Sequence, residues 1–214
     1  MGIRKFFAYI YDTVLKTMKI GDTSGNNYTE FDSDGSMKFV GNATVFDDAF
    51  PVQLFTPSGV AAPDLITVAG NIVGWGFDGN TTSEYLYGSV ELPHRYKEGS
   101  DIDFHIHQVN FTVGSGDVKW FLEYVWAPIM GAVPSVATTV SSVNTIALGD
   151  VRNCKPVQIA TISGAGRKIS DVLMFRLYRL PADAADTFPN DVCVTAMGCH
   201  FEIDTVGSRQ QLIK

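Results

Sequence analysis

The sequence predicts an all-β protein, a jelly-roll β-sandwich preceded by an amphipathic helix and a β-hairpin. From residue 65 onward, about eight apolar segments of strand length follow one another along the chain. Glycine, proline, aspartate and asparagine separate them at the short spacing that is typical of β-turns. Helical periodicity is almost absent from the same stretch, which favours a sandwich or barrel over a mixed fold.

The predicted strands are residues 65–73, 84–92, 102–113, 118–126, 136–148, 157–162, 172–180 and 192–206. Two connections, 127–135 and 181–191, are long enough to cross between two sheets, and this favours a jelly roll. Residues 114–117 (GSGD) form a much tighter turn, so the strands on either side of it are predicted to make an antiparallel hairpin.

Residues 3–19 differ from the rest of the chain because their apolar side chains recur at helical spacing. The apolar positions are Ile3, Phe6, Phe7, Ile10, Val14 and Met18, and the cationic ones around them are Arg4, Lys5, Lys16 and Lys19. Such a helix could pack on its own domain, dock on a partner or lie on a membrane surface. All eight of Ile3, Phe6, Phe7, Ile10, Val14, Met18, Arg4 and Lys5 are candidate docking residues.

The helix is followed by a predicted hairpin, in which residues 28–31 and 37–40 flank a turn with Asp34-Gly35. Residues 51–64 are rich in proline, glycine and alanine and predict a loop or strap over the surface. The predicted organisation is an N-terminal arm over residues 1–42 and a jelly-roll domain over residues 43–214.

Composition and charge restrict the function classes. The 214 residues are 45% hydrophobic and 18% charged, which is typical of one folded domain. A net charge of −7 argues against nucleic acid as a partner, because phosphates require a basic surface. No signal peptide and no apolar run of about 20 residues is present, so we expect no membrane association. The odd cysteine count indicates neither a disulfide framework nor a zinc knuckle, and Cys193 and Cys199 are predicted core residues.

The segment 101–113 (DIDFHIHQVNFTV) is the most informative strand. Side chains alternate between the faces of a strand, so Ile102, Phe104 and Ile106 are predicted to be buried. Asp101, Asp103, His105 and His107 then share the opposite face. That face is predicted to be solvated surface, a subunit interface or a metal site. The same alternation extends the predicted core to Trp120, Leu122, Leu173, Phe175, Leu177, Phe201 and Ile203.

Gly99, five further residues and His105-x-His107 reproduce the first part of the metal motif of cupins. In that family a downstream glutamate completes the site, but the corresponding positions here are Phe111 and Thr112. A looser site would need other strands to supply ligands of the same parity, and His105, His107, Glu123 and His200 are the candidates for it. A polar outer sheet face explains the same residues, so we expect no metal and no cofactor.

Catalytic motifs are missing from the sequence. It has no Gly-x-Ser-x-Gly elbow, phosphate-binding loop or dinucleotide fingerprint, so we predict that the protein is not an enzyme. Residues 164–168 (GAGRK) are interpreted as a turn between strands. Arg176 and Arg179 are predicted to pair with the acidic face or with a second subunit.

Several ordered stretches resemble a family of tailed-bacteriophage virion proteins. They are ATVFDD (43–48), YGSVELPH (87–94), KEGSDIDFHIH (97–107), WFLEY (120–124), ISGAG (162–166), FRLYR (175–179) and HFEIDTVGSRQ (200–210). The resemblance runs from about residue 43 to the C-terminus. Phe46 and Gln108 depart from it, because tryptophan is expected at both positions.

This resemblance implies a structural virion protein, made in the host cytoplasm and located on the capsid surface or the tail. Capsid decoration or cement is the leading expectation, with the major capsid protein or another virion protein as partner. The alternatives are a tail-fibre or receptor-binding tail component and, more remotely, a cupin-like metal-dependent oxygenase or isomerase. Repetition strengthens weak contacts, so a homo-oligomer is expected, with a trimer favoured.

Overall fold

The structure is a computed structural model that describes residues 17–32, 35–41, 45–51, 55–80, 83–208 and 210–213. Strands account for nearly all of its regular secondary structure. They are β1 (Thr17–Asp22), β2 (Asn27–Asp32), β3 (Met37–Val40), β4 (Val45–Pro51), β5 (Thr56–Pro57), β6 (Asp64–Ala69), β7 (Ile72–Phe77), β8 (Glu84–Glu91), β9 (Ile102–Asn110), β10 (Gly116–Ala127), β11 (Thr138–Ile146), β12 (Lys155–Ile162), β13 (Val172–Arg179) and β14 (Val192–Glu202). A single turn of 3-10 helix, Leu148–Asp150, precedes β12.

Two antiparallel sheets form a sandwich, which confirms the predicted fold class. The five-stranded sheet has the order β11-β10-β13-β8-β5, and the larger sheet has the order β12-β9-β14-β7-β6 with β4 also paired to β14. From β8 to β10 and again from β12 to β14, successive strands alternate between the two sheets. This alternation is the wrapping expected of a jelly roll.

The core lies between the two sheets and contains all ten predicted residues. Each is at most 5% exposed: Ile102, Phe104, Ile106, Trp120, Leu122, Leu173, Phe175, Leu177, Phe201 and Ile203. Cys193 and Cys199 are also buried, as predicted, whereas Cys154 is exposed. The prediction holds because strand alternation alone decides which side chains face the partner sheet.

The N-terminal part that is described is a small sheet of order β1-β2-β3. The predicted β2–β3 hairpin is confirmed, and Gly35 adopts a positive φ of 81° in its turn. The predicted helix was wrong at its end, because Thr17–Lys19 belong to β1, where Met18 pairs with Phe31. A turn beginning at Asp22, whose carboxylate accepts hydrogen bonds from the Ser24 and Gly25 amides, closes this ladder.

The other residues of the predicted helix lie outside the described part of the chain. They include the docking candidates Ile3, Phe6, Phe7, Ile10, Val14, Arg4 and Lys5. Their role as a docking arm stays a prediction.

Two predicted connections were wrong. The turn at 114–117 does not close a hairpin, because β9 and β10 lie in different sheets. It packs instead on the 181–191 connection: the amides of Thr187 and Phe188 donate to the Asp117 carbonyl. The segment 127–135 joins two neighbouring strands of one sheet, β10 and β11, rather than crossing over. The 181–191 connection does cross between sheets, as predicted.

Arg179 is a core residue rather than the surface or interface group that the sequence suggested. Its guanidinium is fully buried and donates two hydrogen bonds to the Asp186 carboxylate, at 2.9 and 2.7 Å. It also donates to the carbonyls of Asn190, Phe188 and Phe77. This bidentate pair fixes the crossover 181–191 against the end of β13.

Candidate functional site

The outer surface of the larger sheet carries a cluster that we call the histidine face. It consists of Asp103, His105, His107, Gln158, Thr161 and His200, contributed by β9, β12 and β14. The strand register explains the cluster, because His200 pairs with Asp103 and Gln158 pairs with His105. Side chains at paired positions point to the same side of a sheet.

The three imidazoles of this face are close together. The ring centre of His105 lies 5.3 Å from that of His107 and 4.6 Å from that of His200. Although it is on the outer side of the sheet, His105 is only 8% exposed. The rings line a groove of about 400 Å³ together with Asp103, Pro156 and Gln158.

The room for this groove comes from small residues on β14. Gly198 is paired with His105 and Ala196 with His107, so no long side chain covers the rings from that strand. Beyond Asp103 and His200 the surface continues into a second cleft of about 520 Å³ beside Lys97 and Glu202. The two hollows therefore share a rim.

Hydrogen bonds fix the rim of the histidine face. The Asp103 carboxylate accepts from Gln158 Nε2 at 3.0 Å and from Thr161 Oγ1 at 2.5 Å. The Cys154 sulfur lies 3.8 Å from Nδ1 of His107. The outer rim is thus held in place, and His107 is oriented through one of its two ring nitrogens.

Glu123 does not join the histidine face, so that part of the predicted metal set was wrong. It lies on β10 in the other sheet and forms an ion pair with Arg176 on β13. The parity of a strand fixes which face a residue takes within its sheet, but not which sheet the strand joins. Within the residues described, no three His, Cys, Asp or Glu side chains are arranged to hold a metal ion as they stand.

A second surface, which we call the aromatic face, covers the outside of the five-stranded sheet. Its large side chains come from β8, β10 and β13, and they are Tyr85, Tyr87, Phe121, Met174, Arg176 and Tyr178. Phe121 and Tyr178 stack with their ring centres 4.9 Å apart, and Tyr85 lies 5.4 Å from Tyr178. In β8, β10 and β13 these residues alternate with the core residues, so strand alternation places them on the opposite face of the sheet. From the sequence, only the buried face of these strands was predicted, and no surface on the other side.

The charged side chain of Arg176 contacts two rings of the aromatic face. The Arg176 guanidinium lies 4.6 Å from the ring centre of Tyr85 and 5.0 Å from that of Tyr178, within cation–π range. Burial lowers the Arg176 pKa, but Glu123 and Tyr87 more than offset this and raise it. Tyr87 and Met174, which also belong to this face, are 41% and 47% exposed. A shallow groove of about 340 Å³ lies beside them.

Glu84, at the start of β8, has a perturbed carboxyl group. Burial raises the pKa of Glu84 from 4.5 to about 7, and the negative charges of Asp78, Asp64 and Asp191 act in the same direction. A hydrogen bond from the Asp78 amide, at 2.6 Å, opposes the rise. The folded protein therefore binds this proton more tightly than the unfolded chain does.

Protonation of Glu84 therefore stabilises the folded state. This contribution to the free energy of unfolding is complete below about pH 4.5 and is lost as the pH rises through about 7. We expect the urea midpoint of the protein to fall between pH 5 and pH 8, and the fall to be smaller in Glu84→Gln. Glu91→Gln removes an exposed carboxylate from the same strand and should leave the fall in place. An equal fall in wild type and Glu84→Gln would contradict the assignment.

Comparison with protein-family models gives no match, and no curated protein matches the sequence. Solved structures with some likeness include a tailspike protein 4 enzymatically active domain from bacteriophage CBA120, with 8% identity over 74% of this chain and a TM-score of 0.33. This chain spans 19% of that tailspike chain.

Carbohydrate-binding modules are also among the similar structures. One, solved in complex with beta-1,4-galactotriose, has 12% identity, covers 94% of each chain and has a TM-score of 0.30. Another, specific for non-crystalline cellulose, has 11% identity over 92% of this chain and 90% of its own, with a TM-score of 0.30. At these scores the likenesses carry no argument about function.

No helix in the described ranges is long and apolar enough to cross a membrane.

Proposed function

We propose that this chain is a non-enzymatic structural protein of a tailed-bacteriophage particle, a capsid decoration protein that binds the outer shell and stabilises it. The resemblance of its ordered motifs to virion proteins supports the assignment of this chain to a phage particle. The aromatic face supports docking, because tyrosine, methionine and arginine are enriched where proteins bind one another. The partner is the major capsid protein or another virion protein.

The aromatic face has the physical properties of a preformed interface. Its rings are held by stacking and by Arg176, so few rotamers are left to be frozen on binding. The Arg176 charge on this face is paired with the Glu123 carboxylate. Tyr87 and Met174 also expose apolar surface on this face, from which a partner can exclude water.

The size of this face suits repeated attachment. Strand spacing and rise give β8, β13, β10 and β11 a common outer area on the order of 500 Å². A stable pairwise interface buries roughly 800 Å² on each partner. One copy therefore binds modestly, and a homo-oligomer, with a trimer favoured, multiplies the contact.

Shell binding by paired variants tests the proposal. Tyr87→Glu combined with Met174→Glu places two charges in the aromatic face, and we expect affinity for purified shells that lack this chain to fall by about tenfold or more. Leu65→Glu with Ile72→Glu is the matched control, because both residues are exposed and lie on the other sheet. Circular dichroism should give similar melting curves for both proteins.

Undiminished shell binding by the aromatic-face variant would exclude this face as the anchor. Loss of binding in both variants alike would point to a non-specific charge effect. Wild-type protein that binds isolated tails but not shells would move the assignment to a receptor-binding or fibre component of the tail.

A further inference from the structure

The strand β11 is an open edge of the five-stranded sheet, since among the described residues only β10 pairs with it. The strands at the other ends of the two sheet orders carry features that discourage further pairing. In β12 these are Pro156 and a bulge, β6 also has a bulge, and β5 has only two residues. By contrast, β11 has nine residues (TTVSSVNTI) without charge, proline or glycine, in unbroken register with β10. It is therefore the edge best suited to accept another strand.

The backbone of β11 directs about half of its hydrogen-bonding groups toward this open edge. In β10, the Asp117 carbonyl and the Lys119 amide bond to the 181–191 connection, which follows β13 on the side away from β11. Backbone groups alternate sides along a strand, so Val118 bonds to its partner Asn144 on β11. The residues that alternate with Asn144 then point their N–H and C=O groups outward, and they are Thr139, Ser141, Val143 and Thr145.

Two polar side chains on β11 lack partners. Ser142 and Asn144 face the inside of the sandwich, because they pair with the buried residues Trp120 and Val118. Ser142 Oγ and Asn144 Nδ2 are buried and have no hydrogen-bond partner among the described residues. A buried polar group without a partner destabilises the fold. Because both groups lie on the end strand of the sheet, a strand added to that edge is placed to satisfy them.

We propose that β11 pairs with β11 of a second copy, antiparallel, about a two-fold axis at Val143. This register places Ser142 opposite Asn144 of the second copy, and Asn144 opposite Ser142. It also places Val140 opposite Ile146, which extends the apolar interior across the junction. At these positions the opposed side chains are about 4.5–5.5 Å apart at Cβ, so the serine hydroxyl and the asparagine amide are within hydrogen-bonding reach.

The neighbouring register is less favourable. A two-fold axis at Ser142 would place Asn144 opposite Val140 and leave its amide without a partner. Lys155 Nζ lies 3.4 Å from the Thr145 carbonyl at the edge, but this contact is long. A carbonyl oxygen has two lone pairs, so Thr145 can accept a second donor from the added strand.

The pairing joins two five-stranded sheets into one. Opposed residues of paired strands point to the same side of a sheet, so the aromatic faces of both copies lie on one side of the assembly. The pairing itself does not depend on the docking function proposed above. Alone it gives a dimer, and together with the threefold contact favoured above it gives a hexamer.

Sedimentation velocity of the full chain across about 1–100 µM tests the proposal, because one strand pair is a small interface. We expect assemblies with an even number of copies that dissociate on dilution. Val143 is 51% exposed, so the fold tolerates a charge there. Val143→Lys and Val143→Glu each place like charges opposite one another and should weaken self-association by about tenfold, whereas their mixture should restore it. Ser142→Ala should weaken it by about tenfold as well, because a dimer loses two hydrogen bonds.

Val60→Lys and Val60→Glu are the matched controls, since Val60 is 99% exposed and lies outside the strands. They should associate as wild type does. A wild type that contains only odd numbers of copies throughout the range would overturn the proposal, and so would charged Val143 variants that associate normally or do not recover on mixing. Shell binding by a chain that never pairs would overturn the pairing and leave the docking face intact.

Discussion

Replacing Arg179 with methionine is expected to lower the free energy of unfolding by about 3–5 kcal/mol. The guanidinium is fully buried and makes a bidentate contact with Asp186, whose own side chain is 1% exposed. Methionine fills a similar volume but leaves the Asp186 carboxylate buried without its cation. It also removes the donors to the carbonyls of Asn190 and Phe188.

The control for this prediction lies three residues earlier on the same strand. Arg176→Met breaks the pair with Glu123, in which both side chains are 31% exposed, and is expected to cost no more than about 1 kcal/mol. Chemical denaturation followed by far-ultraviolet circular dichroism measures both. Equal losses in the two variants would contradict the view that Arg179 anchors the crossover.

A double variant separates charge from packing at the same site. If the uncompensated carboxylate is the main cost, Arg179→Met with Asp186→Leu should be more stable than Arg179→Met alone. Recovery should be incomplete, because Asp186 also accepts a hydrogen bond from the Lys119 amide at 3.0 Å.

Replacing Trp120 with alanine is expected to destabilise the protein by a similar amount, about 3–5 kcal/mol. The indole is fully buried at the centre of the sandwich and meets the Phe77 ring edge to face, with ring centres 5.0 Å apart. Removing it leaves a cavity between the sheets. The unfolding midpoint in guanidinium, again by circular dichroism, gives the loss.

The indole N–H adds a polar contribution that a second substitution isolates. Trp120 Nε1 donates to Gln108 Oε1 at 2.9 Å, and Gln108 is itself buried. Trp120→Phe keeps most of the ring but leaves that amide oxygen unsatisfied, at a cost of about 1–3 kcal/mol. Adding Gln108→Leu to Trp120→Phe should recover part of the loss, and no recovery would contradict the importance of this bond.

Strand alternation explains why so much of the core could be predicted. In β10 and β13 the buried residues occupy every second position, so a pattern of period two was sufficient there. In β9 and β14 the predicted core positions are buried as well, but burial also extends to neighbouring positions such as His105 and Val109, which alternation does not predict. The same rule placed Arg179 with Leu177 and Phe175 on the inner face. A charged side chain is nevertheless usually exposed, and the partner that permits burial, Asp186, lies in a loop whose position the sequence does not reveal.

The histidine face could be predicted only in part. His105 and His107 share a face because they are two residues apart on one strand, and that is a local property. His200 joins them because β14 pairs with β9, and Glu123 does not because β10 belongs to the other sheet. Sheet partners are set by contacts between distant segments, which one sequence does not encode in any short window.

The end of the predicted helix forms a β-strand instead, because it pairs with the nearby strand β2. The residues 17–19 continue the helical spacing of the segment before them, yet they pair with β2 in a ladder of six residue pairs. The Asp22 turn brings the two strands together, and the backbone hydrogen bonds of the ladder outweigh a weak helical preference.

Imaging of the intact phage particle tests the central proposal most directly. The account predicts density for this chain on the outer surface of the capsid, repeated according to the shell symmetry. In that density β8, β10 and β13 should face the major capsid protein, so that Tyr87 and Met174 are covered. Particles that lack the chain, or carry it with the aromatic face turned to solvent, would contradict the proposed function.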